Sequence, residues 1–286
     1  MPELTAVQFM TENLQLWCAE GMVQNIDIRR PAKGGRYRLE KIPVPFSPNR
    51  IYRRGKHTVL ATDQGALIVS YHLSGKIFRV RKEETSSTFR VRFDLGSHHL
   101  IFSDRIGLGE LNWLLADGDV ELRTQQWFQA KGLGDEPWPS QRSGAWWRQR
   151  CESRSPIHTT LIDQRRVAGI GNILALEGLF RAGVHPATKA NSLNTEEWSR
   201  LAAGIHIAID ESHRQHQQSR AHQLQANSVD YRGELDFVSE GHIRAEGYII
   251  YGRASEPCPR CEALIQRGKQ RGRPIYWCEH CQPCKG

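Results

Sequence analysis

Residues 258–281 read Cys258-Pro-Arg-Cys261, then 16 residues, then Cys278-Glu-His-Cys281. Two cysteine pairs at this spacing are typical of four thiolates that close tetrahedrally on one structural zinc ion. Between the pairs lies the cationic run Gln266-Arg-Gly-Lys-Gln-Arg-Gly-Arg273, which the metal would hold as the tip of a β-hairpin. We therefore predict a zinc-bound hairpin whose cationic side chains reach a polyanion.

Three further cysteines bear on this site and on the compartment. Cys284 repeats the two-residue gap after Cys281 and is an alternative ligand, although Cys281 completes the symmetric pair. Cys18 and Cys151 stand alone and are interpreted as ordinary thiols. Thiols beside a zinc site are typical of a reducing compartment, so we expect a cytosolic protein.

Length and charge favour a two-domain protein with an extended anionic partner. The chain has 286 residues and a formal net charge of +8, enough length for two cores. Its basic clusters are spread along the sequence, which favours duplex nucleic acid. No apolar run approaches the roughly 20 residues that span a bilayer, and no cationic segment followed by a hydrophobic one begins the chain. We therefore expect a soluble protein without membrane contacts.

Hydrophobic periodicity changes along the chain. Val7, Met10, Leu14 and Trp17 recur at helical spacing and predict a helix over residues 5–19 that Gly21 ends. Alternating apolar and polar residues then predict short antiparallel strands, at 58–62, 66–71, 77–81, 89–95 and 99–103. The first domain is therefore predicted to be a β-sandwich or barrel with an N-terminal helix.

The second half of the chain has helical periodicity. Residues 132–139 are rich in glycine and proline and predict a hinge. Asn194 with Glu197 predicts a helix start. The fold class is thus α+β with two domains, divided into a β-sandwich domain (1–131), a hinge (132–150), a helical domain (151–250) and the zinc hairpin (251–286).

Residues 161–186 predict a helix, a tight turn and a second helix. Gly169 and Gly171 allow a sharp turn, Asn172 is placed to cap the second helix, and Pro186 is placed to end it. The N-terminus of a helix with small neighbours binds phosphate well.

Several of these features together resemble the formamidopyrimidine-DNA glycosylase and endonuclease VIII family. The turn Val167-Ala-Gly-Ile-Gly-Asn172 is similar to the family's helix-two-turn-helix element. The start Met1-Pro2-Glu3 and the terminal zinc hairpin also match, and so do three further segments, Arg53-Arg-Gly-Lys56, Gly132-Leu-Gly-Asp-Glu-Pro137 and Tyr251-Gly-Arg253. The matches follow the family's order and span essentially the whole chain.

The resemblance implies catalytic roles for three residues. Removal of Met1 would leave Pro2 with a secondary amine that attacks C1′ of a damaged nucleotide and forms an iminium, which supports both base loss and phosphate elimination. Glu3 resembles the family's general acid. Lys56 resembles the lysine that contacts the lesion or its phosphate.

DNA contacts follow from the same resemblance. Asn172 and Arg273 match the pair that grips the phosphates flanking a flipped nucleotide. Glu177 matches an acidic position in the second helix of the motif that organises the site. Leu73 stands where purine-directed members carry a methionine wedge.

One loop departs from the family pattern. Where purine-directed members have two arginines and a phenylalanine before glycine, this chain has Asp104-Arg105-Ile106-Gly107. Ile106 is then the apolar wedge, but Asp104 cannot donate hydrogen bonds to an orphaned cytosine. The segment Ser228–His242 indicates no particular lesion. The resemblance therefore leaves the preferred lesion and opposite base open.

The sequence thus predicts a monomeric glycosylase and abasic-site lyase that acts on damaged double-stranded DNA, with oxidised or ring-opened purines preferred and one structural Zn²⁺. Three alternatives stay open: an oxidised-pyrimidine glycosylase, a catalytically silent paralogue that binds damaged DNA, and a zinc ribbon that binds RNA or protein. We expect the protein in the bacterial cytosol, associated with the nucleoid when bound to DNA.

Overall fold

The computed structural model describes residues 2–19, 21–29, 36–83, 89–116, 118–226 and 247–284. The chain divides into two units. Unit 1 consists of Met1–Lys131 and His216–Phe237, and unit 2 of Gly132–Gln215 and Val238–Gly286. Among the described helices, none has the length and apolar character needed to cross a bilayer.

Unit 1 begins with helix α1, Leu4–Ala19. The predicted helix over 5–19 is confirmed. Eleven of its residues are buried, including Val7, Met10, Leu14 and Trp17 at the helical spacing read from the sequence. The helix is therefore held by packing along most of its length.

Nine strands of unit 1 form two sheets, which confirms the predicted sandwich. The strands are β1 Asn25–Ile28, β2 Arg36–Arg38, β3 Arg50–Arg54, β4 His57–Thr62, β5 Gly65–Ser70, β6 Gly75–Arg81, β7 Val91–Asp94, β8 His98–Asp104 and β9 Glu110–Leu115. One sheet has the order β1-β7-β8-β6 and the other β2-β9-β5-β4-β3. All neighbours are antiparallel except β2 and β9. Apolar residues of α1 and of both sheets share one core.

Helix α2, Val120–Ala130, follows the sheets and buries Phe128. The rings of Trp127 and Phe128 contact the ring of His57 on β4, at centroid distances of 5.8 and 5.5 Å.

Unit 2 contains three more helices before the long one: α3 Gly144–Cys151, α4 Ile157–Leu161 and α5 Asn172–Ala182. A 3-10 turn, Ala190–Ser192, precedes helix α6, Thr195–Ala226, whose last part belongs to unit 1. Asn194 and Glu197 exchange side-chain to backbone hydrogen bonds of 2.9 Å each, so the predicted capping box is confirmed.

Two glycines bring α5 and α6 into close contact. A Cβ atom on Gly178 would lie 2.5 Å from the Ile205 side chain, and one on Gly204 would lie 2.6 Å from the Gly178 carbonyl oxygen. Only glycine fits at these positions, because any side chain would separate the helix backbones.

Strands β10 Gln266–Gln270 and β11 Arg273–Trp277 form the predicted hairpin. Arg271 and Gly272 make its two-residue turn with φ of 47° and 79°, the type I′ geometry that matches the twist of a hairpin. The hairpin shares a core with Leu176 and Phe180 of α5.

The predicted hinge, residues 132–150, makes hydrogen bonds to other parts of unit 2. Gly134 N–H donates to the Gln164 carbonyl at 2.8 Å, and Ala168 N–H donates to the Asp135 carbonyl at 2.9 Å. These bonds fix residues 134–135 to the turn that precedes α5, and α3 buries Trp147 completely. Residues 132–150 therefore belong to unit 2, and their action as a hinge stays a prediction.

Candidate functional site

The predicted site residues fall into two groups. Unit 1 carries Pro2, Glu3, Lys56, Leu73, Arg105 and Ile106, whereas unit 2 carries Asn172, Glu177, Arg273 and the four paired cysteines.

Pro2 and Glu3 immediately precede α1, and both are buried. The Glu3 carbonyl accepts a hydrogen bond of 3.0 Å from Val7 N–H, so Glu3 is the N-cap residue of the helix. Their positions are thus set by α1.

Polar contacts fix α1 to the sheet behind it. The Thr11 hydroxyl lies 2.7 Å from that of Thr58 on β4, which lies 2.9 Å from the Tyr71 hydroxyl. Burial of Tyr71 raises the pKa of its phenol, which therefore stays protonated. One turn earlier on α1, Gln8 accepts from Arg53 on β3 at 3.1 Å and donates to Glu12 at 3.0 Å.

Lys56 occupies the two-residue turn between β3 and β4. Gly55 opens this turn with φ of 57°, and its carbonyl accepts from Arg53 at 2.9 Å. The Lys56 Nζ is buried. The side chain is therefore not a solvated surface charge, which fits a directed role.

Two neighbouring turns carry the predicted wedges. Leu73 is 46% exposed in the turn before β6, and Ile106 is 37% exposed after β8, beside the exposed Arg105. Ser74 connects the turns, since its hydroxyl donates to Asp104 and accepts from Ile106 N–H at 2.9 Å. The turns that carry the two predicted wedge residues are therefore joined by one hydrogen-bond network.

Asp104 is an internal residue of unit 1. It is 1% exposed at the end of β8, and its second carboxylate oxygen accepts from Gly109 N–H at 2.5 Å. Asp104 is therefore an internal anchor of the loop, a role that the sequence did not indicate. The loop also exposes Leu108 to 37%, a second apolar candidate that the sequence reading missed. Its position between Gly107 and Gly109 was the available signal.

Asn172 is the first residue of α5 and not its cap. Gly171 occupies the N-cap position and has no side chain with which to cap the helix. Gly183, with φ of 69°, ends the helix before Pro186. Both predictions about the helix ends are thus corrected, because glycines take the cap positions at each end. The Gln164 side chain fixes the preceding turn by donating to the Ile170 carbonyl at 2.6 Å and accepting from Gly169 N–H at 2.9 Å.

Hydrogen bonds hold the Asn172 side chain on both sides. Its Nδ2 donates to the Pro274 carbonyl on β11 at 2.9 Å. Its Oδ1 lies 2.7 Å from Nε2 of His158, a fully buried residue of α4. Burial lowers the pKa of His158 to about 4, so the ring is neutral near pH 7. His158 carried no signal in the sequence, since it lies 14 residues before Asn172.

Arg273 begins β11 and is exposed. Three more exposed cations lie on the same hairpin: Arg267, Lys269 and Arg271. The predicted cationic tip is therefore present, and the Asn172–Pro274 bond joins it to the start of α5.

Glu177 is an internal anchor. It is 4% exposed, and its carboxylate accepts from the backbone N–H groups of Ile249, Ile250 and Tyr251 at 2.9–3.1 Å. It also pairs with Arg181 at 2.8 Å. Burial and these protein partners fit the predicted role of Glu177 in organising the site, and its contact with DNA stays a prediction.

Four cysteines form a candidate metal centre. The sulfur atoms of Cys258, Cys261, Cys278 and Cys281 all lie within 4.8 Å of one another, with Cys258 to Cys281 at 3.8 Å and Cys261 to Cys278 at 3.4 Å. Tetrahedral thiolates about 2.3 Å from zinc would stand about 3.8 Å apart, so the set fits such an ion.

The other cysteines are not part of this cluster. Cys284 is exposed and lies outside it. Burial raises the pKa of the Cys18 and Cys151 thiols to about 12, so both are poor nucleophiles.

The segment that carries the candidate metal centre is fixed to the C-terminal end of α5. Arg260, beside Cys261, donates to the Phe180 carbonyl at 3.0 Å, and Gln282, beside Cys281, donates to the Val184 carbonyl at 2.8 Å. Both acceptors are carbonyl groups at or just beyond a helix end, which need partners from outside the helix.

The interpretation of Ser228–His242 concerns residues outside the described ranges.

Comparisons with known proteins match both units. Residues 1–111 match the model of the formamidopyrimidine-DNA glycosylase N-terminal domain, and residues 133–224 match that of the formamidopyrimidine-DNA glycosylase H2TH domain. A curated formamidopyrimidine-DNA glycosylase of Desulfitobacterium hafniense is 30% identical, with 99% of this chain and 100% of the relative covered.

Two solved structures of the Lactococcus lactis enzyme share the fold. One is a complex with DNA that contains an abasic site; its TM-score is 0.80 at 24% identity, with 98% of this chain and 99% of that chain covered. The other is a complex with DNA that contains an oxidised pyrimidine; its TM-score is 0.77 at 24% identity, with 99% and 100% covered.

Proposed function

Because this chain belongs to the formamidopyrimidine-DNA glycosylase family and is thus a DNA repair glycosylase, we propose that it couples excision of oxidised or ring-opened bases to cleavage at the abasic site. Pro2 is the proposed nucleophile. The observation that carries the proposal is the burial of Pro2 and Glu3 at the start of an anchored helix. A preorganised amine loses little entropy in attack.

The proposed reaction uses one nitrogen for both steps. The Pro2 nitrogen bonds to C1′ as the base departs with a proton, and Glu3 protonates the ring oxygen when the sugar opens. The resulting iminium withdraws electrons, so a C2′ proton is lost and the 3′ phosphate leaves. Loss of the 5′ phosphate can follow in the same way, and water then releases the amine.

The phosphate grip is proposed to come from unit 2. The exposed Arg273 and the Asn172 amide are joined through β11, and three further cations lie on the same hairpin. We assign the four-cysteine site to one structural Zn²⁺, which would hold the hairpin without touching the reacting atoms. The protein is proposed to act as a monomer in the bacterial cytosol.

Substrate choice is tested by single-turnover excision. We propose that ring-opened or oxidised purines are preferred. Oxidised pyrimidines are the second candidate, since the related Lactococcus lactis enzyme has been captured with such DNA and the loop after β8 lacks the expected arginine pair. Each lesion is placed opposite each of the four bases. A faster rate for purine lesions supports the proposal, and a faster rate for pyrimidine lesions overturns the preference.

A silent damaged-DNA-binding paralogue is the remaining alternative. It would bind the same duplexes tightly without releasing any base. Glu3→Gln serves as the matched control, because it keeps the size of the side chain but replaces the carboxyl group, which can then no longer donate a proton. Loss of excision with retained binding in this variant supports catalysis by this chain.

A further inference from the structure

We infer that His158 is a positioning residue, which holds the Asn172 amide with its donor available to a DNA phosphate and ties it to the hairpin through Gln270. This inference rests on the proposed phosphate grip of Asn172. The inference is based on a hydrogen-bonded network of four side chains inside unit 2: His158, Thr159, Asn172 and Gln270.

The orientation of the Asn172 amide follows from its fixed neighbour. The Pro274 carbonyl oxygen accepts hydrogen bonds and cannot donate them, so the amide atom 2.9 Å from it is Nδ2. The amide oxygen therefore faces His158 Nε2 at 2.7 Å. A reversed amide would place two oxygens against each other at Pro274.

This orientation determines which nitrogen of the His158 imidazole carries the proton. Because Asn172 Oδ1 is an acceptor, His158 Nε2 carries the proton. Since the buried ring is neutral, Nδ1 holds a lone pair and accepts from Gln270 Nε2 at 3.3 Å. Gln270 also donates to the Thr159 hydroxyl at 3.0 Å. Every polar atom of the imidazole then has a suitable partner.

The network determines what Asn172 offers to DNA. One Nδ2 hydrogen bonds Pro274 and Oδ1 is occupied by His158, so the second Nδ2 hydrogen is the donor that remains. An anion requires a donor, whereas an exposed amide oxygen would repel it. Gln270 pairs with Arg273 across the hairpin turn, so the same network positions the backbone of the arginine.

The test is a double-mutant cycle with a duplex that contains one tetrahydrofuran abasic-site analogue. We expect His158→Leu to weaken binding about tenfold, the equivalent of one hydrogen bond of ordinary strength. In an Asn172→Ala background, His158→Leu should alter the affinity by less than about twofold, since the amide that His158 positions is absent. His158→Gln, which can still donate to Asn172, should restore most of the affinity.

Controls separate positioning from folding. His206→Leu replaces a histidine of the same unit on α6 and should leave affinity unchanged. Thermal unfolding and metal content identify variants that have lost structure. Imidazole ¹⁵N shifts of the unmodified protein should report an Nε2–H tautomer at His158, and an Nδ1–H tautomer would overturn the inference.

The outcomes distinguish this inference from the proposed function. If Asn172→Ala binds as tightly as the unmodified protein, the proposed phosphate grip fails and the inference fails with it. If Asn172→Ala weakens binding but His158→Leu does not, or does so equally in both backgrounds, the grip stands and the positioning role is overturned.

Discussion

Replacing Glu177 tests whether this residue is a structural anchor or part of the DNA-binding surface. Its side chain is 5% exposed, and its carboxylate accepts three backbone N–H groups and pairs with Arg181, itself 9% exposed. Glu177→Ala would leave these donors without their carboxylate. We expect unit 2 to lose about 3–5 kcal/mol, the usual cost of breaking a buried ion pair.

This magnitude is limited by two features of the site. Arg181 keeps a second partner, Glu211, whose side chain is 40% exposed. Each of the three N–H groups would cost about 1–3 kcal/mol if it were buried without a hydrogen-bond partner. Water that enters the space left by the side chain would lower the total cost. A loss of 3–5 kcal/mol would remove a large part of the stability of an ordinary domain, which is about 5–15 kcal/mol.

Urea unfolding and amide hydrogen exchange at residues 249–251 measure the effect. Exchange is needed because a two-unit chain can unfold in separate steps. Glu196→Gln is the matched control, since Glu196 pairs with Arg200 on α6 with 81% exposure, and its loss should cost less than about 0.5 kcal/mol. If Glu177→Ala unfolds like the control and exchange at 249–251 is unchanged, the anchor role is refuted.

Three further predictions concern other parts of the molecule. Asp104→Ala should destabilise unit 1 by about 1–3 kcal/mol and accelerate exchange at Gly109, because a buried N–H loses its acceptor; unchanged exchange would contradict the anchor. Burial, reinforced by nearby cations, lowers the pKa of His57 to about 3, so the unfolded chain binds more protons than the folded one below about pH 6.5. Stability of unit 1 should therefore fall as the pH drops from about 6.5 towards 3, and His57→Gln should flatten that slope in acid titrations followed by circular dichroism. Cys281→Ser should lose the bound metal in elemental analysis whereas Cys284→Ser should keep one ion per chain, and the reverse result would reassign the fourth ligand.

Short-range patterns predicted most of the elements. The spacing of Val7, Met10, Leu14 and Trp17 predicted α1, and the Asn194–Glu197 pair predicted the start of α6, because each pattern acts within one or a few helical turns. The cysteine pairs likewise predicted the cluster, since metal geometry restricts the spacing.

Long-range contacts were not predictable in this way. Asn172 bonds to Pro274 across 102 residues, and Glu177 to Ile249 across 72. Nothing in the local sequence indicates such partners, so Glu177 resembled a site residue and His158 remained unnoticed. The buried position of Asp104 at the end of β8 and the parallel pairing of β2 with β9 have no local signal either.

Borohydride trapping on a duplex with one abasic site tests whether the Pro2 amine is the nucleophile. The processed protein is compared with a form that keeps Met1 and with Pro2→Gly. We expect a covalent adduct with the processed protein that is lost when Met1 blocks the amine, and Pro2→Gly reports whether the secondary amine is needed. Tight binding to the same duplex without an adduct, or an adduct that persists with Met1 in place, would contradict this role of Pro2.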